Sequence, residues 1–183
     1  MRKIQLPKVA IIRWTNEKSN VEEYSQDVDY TKDMAVIEKN GSEILSATVM
    51  LEDRMIEGAS KLLFGTGSAN IAKREFFVNE IMSTSDFSFA FKRRVFTRLL
   101  EQFQVIENER IKSLKAGLQK IMLWRNAFAH GQVIHELNGN FVLHYYSGGH
   151  QELTLNDKFF ENVESTIREC LYICNGIIQS SNG

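Results

Sequence analysis

The chain has 183 residues, of which 43% are hydrophobic and 25% are charged, and its formal net charge is −1. This composition is enough for one well-packed core, so we expect one domain. No apolar run approaches the roughly 18 residues of a membrane span, and the N-terminus lacks the pattern of a secretion signal, which predicts a cytoplasmic protein without a membrane partner. The small net charge excludes a global attraction for nucleic acid, so such binding would need a local basic patch.

The chain divides into two unequal parts. Residues 1–30 are predicted to be an N-terminal extension, which contains a short strand or arm (KVAIIRW) followed by a polar segment. Residues 31–183 carry apolar residues at helical spacing and no proline, which predicts a mainly α domain.

Four helices are predicted before the first strand. The first has one apolar stripe that ends at FGTGS, with Asn40 and Gly41 as a point of interruption; the stripe contains Ile44, Thr48, Leu51, Met55, Ala59 and Leu62. A short helix is expected around residues 73–82. The third helix covers 87–103 with Val95, Leu99 and Phe103 inward. The fourth covers 107–131, ends at Gly131, and has the stripe Ile111, Leu114, Leu118, Met122, Arg125 and Ala129.

The period of the pattern changes to two after Gly131. QVIHEL and NFVLHYY flank Asn138-Gly139, which predicts a β hairpin with a two-residue turn at about 132–155, and QELTL is a candidate third strand. Asn156 then caps a last helix whose inner face carries Phe160, Val163, Ile167, Cys170, Cys174 and Ile177. The predicted architecture is a bundle of four to five helices with the hairpin inserted before the last helix.

A two-residue turn would place His135 and His144 on the same face of the hairpin, with His150 nearby. No cysteine and no fixed ligand spacing supports a metal site there, so we assign these histidines to the hairpin surface and predict no metal or cofactor. The two cysteines are one helical turn apart and are predicted to be small core residues without a disulfide.

The stretch WRNAFAHG places Arg125, Asn126 and His130 at the end of the fourth helix. An arginine on an inward stripe needs a carboxylate, a carbonyl or an open cleft, because a buried unpaired charge is costly. Arg125 and His130 differ by about 140° around the helix and by about 7.5 Å along it. They would therefore share a cleft only if the helix end faces a groove or meets a second copy of itself. The alternative is that Arg125 pairs with a core carboxylate and His130 only complements the helix dipole.

The third helix carries the basic residues Lys92, Arg93, Arg94 and Arg98 within two turns. Such a run is typical of a solvated helix face. It is also a candidate path for nucleic acid if the Arg125–His130 stretch handles phosphate.

The order Arg125, Asn126 and His130 resembles the motif of the HEPN superfamily, in which an arginine and a polar residue precede a histidine. The segment LLFGTGSANIAKREFFVNEIM and the basic helix after it are similar to the mannitol repressor-like branch, over residues 30–180. The resemblance implies a helical bundle, commonly a homodimer, with metal-independent endoribonuclease activity in many members and none in others. The tyrosine by which some toxins of this group are silenced is replaced here by Gln132.

The side chains of the motif suit such a reaction. His130 would act as acid or base, Arg125 would stabilise the phosphate, and Asn126 would orient His130 or donate to a phosphate oxygen. Each motif contains one histidine, which favours a dimer that brings two motifs together, and Trp124 and Phe128 are the expected anchors of its interface. Two function classes remain: an endoribonuclease, including toxins or defence proteins with an antitoxin partner, and a non-catalytic regulator or protein-binding module.

Overall fold

The computed structural model describes residues 28–180 except Ser85 and Leu137, and it describes side chains from residue 32 onward. The strand or arm predicted near the N-terminus lies outside this range. The α-helices are α1 (Val28–Phe64), α2 (Ile71–Phe76), α3 (Phe89–Phe103), α4 (Asn108–His130) and α5 (Asp157–Ser180), and the strands are β1 (Gln132–His135), β2 (Phe141–Tyr146) and β3 (His150–Thr154). A 3₁₀ turn (Ser68–Asn70) precedes α2, and a π-helical turn (Phe77–Met82) continues it.

The prediction of a mainly α protein with a small sheet before the last helix is confirmed in these residues. None of the helices within the described range is both long and apolar enough to cross a bilayer.

Helix α1 is continuous through Asn40 and Gly41, so the predicted interruption does not occur. Its predicted stripe faces the core, with five members buried and Leu62 partly buried: Ile44, Thr48, Leu51, Met55 and Ala59. Gly41 has a packing role, because a Cβ atom there would lie 2.8 Å from Cδ1 of Phe128. The glycine therefore allows the aromatic ring from α4 to rest on the backbone of α1.

Helix α3 turns a different face to the core from the one predicted. Phe96 and Leu100 are fully buried, whereas Val95 and Leu99 are half-buried and Phe103 is 51% exposed. Because apolar residues occur in adjacent pairs along α3, two stripes about 100° apart fit the sequence equally well. Packing against α1 selects the stripe of Phe96, whose ring fits over Gly58.

Helix α4 packs against α1, α3 and α5. Its buried stripe follows the prediction as far as Leu118 and then continues through Ile121, Trp124 and Ala127, rather than through Met122, Arg125 and Ala129. The predicted stripe is therefore wrong in its last turns. The structure places the large apolar side chains inward there, which leaves Arg125 at the edge of the buried face.

Helix α5 completes the core as predicted. Val163, Ile167, Cys170, Cys174 and Ile177 are buried, and Phe160 is half-buried. The cysteines are free, and burial raises the pKa of each thiol to about 12. Asn156 caps the helix as predicted, since its Oδ1 accepts a hydrogen bond of 2.9 Å from the amide of Phe159.

The three strands form an antiparallel sheet in the order β1-β2-β3. The apolar face of β2, with Phe141 and Leu143, packs against Ala127 of α4 and Ile37 of α1. The candidate third strand is confirmed as β3.

The turn between β1 and β2 differs from the prediction by one residue. His135 pairs with Phe141, and the amide of Glu136 donates to the carbonyl of Asn140 at 2.8 Å, so three residues form the loop. Gly139 adopts φ +87°, which is typical of the last position in three-residue hairpin loops. Because neighbouring residues of a strand point to opposite faces, this shift places His135 and His144 on opposite faces, and the prediction of a shared face is wrong.

Candidate functional site

The stretch WRNAFAHG forms the last two turns of α4 and its exit into β1. Gly131 follows the helix in an extended conformation, and its amide donates to the carbonyl of Ala127 at 2.7 Å. A Cβ atom at Gly131 would lie 2.4 Å from the carbonyl oxygen of Ala127 and 2.8 Å from that of His144. A glycine is therefore required where the helix end meets β2, and this contact fixes the position of His130 relative to the sheet.

Arg125 is half-buried and has no carboxylate partner among the residues that the structure describes. Its Nη1 donates to Oδ1 of the neighbouring Asn126 at 3.1 Å. The alternative in which Arg125 pairs with a core carboxylate is not observed in this range. The guanidinium of Arg125 has five N–H groups, and the hydrogen bond to Asn126 uses only one of its nitrogens. The other N–H groups stay available to a ligand.

A groove of about 370 Å³ lies beside Arg125 and Asn126. Its other walls come from α1, from the segment between the π-helical turn and α3, and from the first turn of α3. The polar side chains lining it are those of Glu52, Ser83, Thr84, Ser88, Lys92, Arg125 and Asn126. Sequence reasoning identified three of these residues; Glu52 and the three hydroxyl residues had no motif to reveal them.

The N-terminus of α3 opens onto this groove. Ser88 caps the helix, with its Oγ accepting a hydrogen bond of 3.3 Å from the amide of Phe91, and Phe89 and Ala90 line the groove. The first amides of a helix lack intrahelical acceptors and lie at the positive end of its dipole. Together with Arg125, this helix end gives the groove an electrostatic preference for anions such as phosphate.

Lys92 is 7% exposed, and its Nζ lies 3.1 Å from Oε2 of Glu52. Its charge is therefore offset by a carboxylate in the same groove, so Lys92 is not part of a solvated helix face, and its assignment to a nucleic-acid path stays a prediction. The remaining basic residues of α3 lie around a second, adjacent cavity of about 750 Å³, which Arg93, Arg94 and Arg98 line together with Lys115.

The three arginines of this cavity have different surroundings. Arg93 donates to Oε1 of Gln119 through Nη1, while its buried Nε has no hydrogen-bond partner in the described part. Arg94 lies over the ring of Phe91, 5.4 Å from the centroid. The side chain of Arg98 is 79% exposed, and its Nη1 lies 3.8 Å from Oε2 of Glu101. A hydrogen bond from Lys115 lowers the pKa of Glu101, so this carboxylate remains charged and offsets part of the basic field.

His130 is exposed as the last residue of α4 and does not line the groove of Arg125. The structure therefore brings Arg125 and Asn126 together and leaves His130 further around the helix, as the helical geometry predicts.

Trp124 is buried in the core, where its ring lies edge-on to Phe159 with centroids 6.0 Å apart. Phe128 is half-buried between Gly41 and Phe159. Trp124 is thus not left over by the core, and it is unavailable as the exposed anchor of a dimer interface. Because Phe128 is half-buried, only part of its ring could contact a second copy of the chain.

No protein-family model, curated protein or solved structure significantly matches this chain. The HEPN resemblance is a proposal that depends on Arg125, Asn126 and His130 and on the helical frame around them.

Proposed function

We propose that this chain is a metal-independent endoribonuclease of the HEPN type, with Arg125, Asn126 and His130 as its catalytic residues. The observation that supports this most directly is the environment of Arg125. Its guanidinium has no carboxylate partner in the described range, and it lines a groove together with Asn126 and the N-terminus of α3. Arginine and helix amides are groups that commonly bind phosphate in proteins.

The proposed reaction is an internal transfer at phosphorus. The ribose 2'-oxygen bonds to phosphorus and gives up its proton to a base, while the bond from phosphorus to the 5'-oxygen breaks and that oxygen receives a proton from an acid. The products are a 2',3'-cyclic phosphate and a free 5'-hydroxyl. Arg125 stabilises the additional negative charge on the phosphate oxygens, and Asn126 holds the guanidinium through their hydrogen bond.

His130 supplies the proton transfer, since imidazole exchanges protons readily near neutral pH. One imidazole cannot be base and acid at the same instant. A homodimer that places the two α4 ends together would supply both groups and would bring the His130 of one chain near the Arg125 of the other. Its interface must use residues other than Trp124, which is buried within the chain.

The cavity lined by Arg93, Arg94 and Arg98 is the proposed path for the RNA strand. It shares Ser88 and Ala90 with the groove of Arg125, so the two lie on either side of the start of α3. Binding there should weaken with salt, because it depends on neutralising phosphates.

A second candidate is a non-catalytic regulator or protein-binding module of the mannitol repressor type, with an antitoxin or another protein as partner. Two observations favour it: Glu52 places a carboxylate in the same groove as Arg125, and His130 lies outside that groove. In this case Arg125 would donate to a neutral acceptor of the partner protein, such as a backbone carbonyl, rather than to a nucleotide phosphate.

The deciding experiment incubates purified protein with total RNA in the presence of a chelator. We expect cleavage with 2',3'-cyclic phosphate ends, and we expect Arg125→Ala and His130→Ala each to slow it by about 100-fold or more. His135→Ala and Arg168→Ala are matched controls, because both residues are exposed and neither lines the groove.

Cleavage that survives in both site variants, or that leaves 5'-phosphate ends, would contradict the mechanism. Absence of cleavage under all conditions would favour the regulator. Mixing the two inactive variants tests the dimer, since a heterodimer with one intact composite site should recover part of the activity.

A further inference from the structure

We propose that His144, His150 and Glu152 form a binding site for a transition-metal ion, best matched to Zn²⁺, on the outer face of the sheet. His144 pairs with Glu152 across β2 and β3, and Tyr146 pairs with His150. Cross-strand partners share a face, and so do alternate residues along one strand. The register therefore places the three side chains on one face, opposite to the face that packs against the helices.

The donor atoms are already at distances suited to a metal. Nδ1 of His144 lies 3.0 Å from Nε2 of His150 and 3.6 Å from Oε1 of Glu152. One donor from each of the three residues lies within 4.8 Å of the others. Zinc–nitrogen bonds of about 2.0–2.1 Å place adjacent ligands of a tetrahedron about 3.3 Å apart. Closing this site therefore requires only small side-chain rotations.

The donor set also indicates which metal would bind. Two imidazole nitrogens and one carboxylate oxygen suit Zn²⁺ and similar transition metals, whereas Mg²⁺ and Ca²⁺ prefer oxygen ligands alone. Three protein ligands would leave a fourth position for water or for a ligand group. Both cysteines are buried in the helical core, so they do not contribute to a site on the sheet.

The backbone holds these ligands in place before any metal binds. The amide of Ser147 donates to the carbonyl of Gly149 at 2.9 Å, and Gly148 adopts φ +66°, which closes the turn between β2 and β3. His144 has a side-chain exposure of 11%, while His150 and Glu152 are about half exposed. An ion would thus reach the site from solvent and tie β3 to β2, the strand that contacts Gly131 at the end of α4.

The test is a titration of the full chain with Zn²⁺ at neutral pH against a chromophoric zinc indicator. We expect one ion per chain, at least a 10-fold loss of affinity in His150→Ala and in Glu152→Gln, and no comparable response to Mg²⁺. His135→Ala is the matched control, because His135 lies on the same sheet but points to the other face. Zn²⁺ should also raise the thermal unfolding midpoint of the wild type but not that of His150→Ala.

No stoichiometric Zn²⁺ binding by the wild type, or equal binding by wild type and both ligand variants, would overturn the proposal. His150 and Glu152 are exposed enough for their variants to fold, and circular dichroism checks this. The proposal does not depend on ribonuclease activity: His130→Ala should slow cleavage and leave Zn²⁺ binding unchanged.

Discussion

The middle and the end of α4 belong to one helix but have opposite environments. In the middle, Leu114, Leu118 and Ile121 are completely buried. At the end, the side chain of Arg125 has a hydrogen bond only to its neighbour Asn126 among the described residues, and His130 is exposed. The middle of the helix is thus constrained by packing on several sides, whereas its polar end could change with little effect on the core. The proposed function assigns this polar end to binding or chemistry, so we expect it to add little to stability.

The largest effect is expected in the middle of the helix. Leu118→Ala removes a fully buried side chain and leaves a cavity, so it should lower the free energy of unfolding by about 2–5 kcal/mol. Urea denaturation monitored by circular dichroism measures this. A loss below about 1 kcal/mol would mean that the core collapses around the smaller residue and that the middle of α4 is less constrained than its burial indicates.

A second prediction concerns Cys170 and Cys174, which α5 contributes to the same core. Burial keeps the pKa of both thiols near 12, so the reactive thiolate is scarce at neutral pH and sterically protected. A disulfide reagent should therefore label the folded chain at least about 100-fold more slowly than the chain in denaturant. Fast labelling of the folded chain would show that the contact between α4 and α5 opens frequently.

The smallest effect is expected at the polar end. Arg125→Gln shortens a half-buried side chain, His130→Gln changes an exposed one, and neither breaks an ion pair found in the described part, so each should change the free energy of unfolding by less than about 0.5 kcal/mol. The same denaturation experiment applies, with Leu118→Ala as the reference. A loss of more than 1 kcal/mol in either variant would give these residues a structural role and weaken the comparison.

Sequence patterns correctly predicted those elements whose residues fitted only one interpretation. The stripe of α1, the end of α4 at Gly131, the candidate strand β3 and the cap at Asn156 all followed from local signals. Helix α3 shows where such reasoning stops. Two adjacent apolar stripes fit its sequence, and the choice between them depends on Gly58, which lies about 40 residues earlier in the chain.

The candidate sites show the same limit. The motif singled out Arg125, Asn126 and His130, but it could not predict the groove that α1 and α3 build beside Arg125 and Asn126. For Lys92 the charge run predicted exposure, whereas its partner Glu52 comes from a distant helix. The spacing of His144, His150 and Glu152 is even, which is a weak sign that they share a face of the sheet. Only the observed pairing of β2 with β3 shows that the three side chains lie next to one another.

The face to which each side chain of β1 points depends on whether the loop between β1 and β2 has an odd or an even number of residues, and here it has three. If β2 stays anchored by Phe141 and Leu143, removing one loop residue would shift β1 by one position and exchange the environments of Val133 and Ile134. Changing the loop by two residues would keep every side chain on its present face. Among homologues of this chain, loop lengths should therefore differ by even numbers, or odd changes should come with a rewritten β1, while His144 and its neighbours on β3 stay in register.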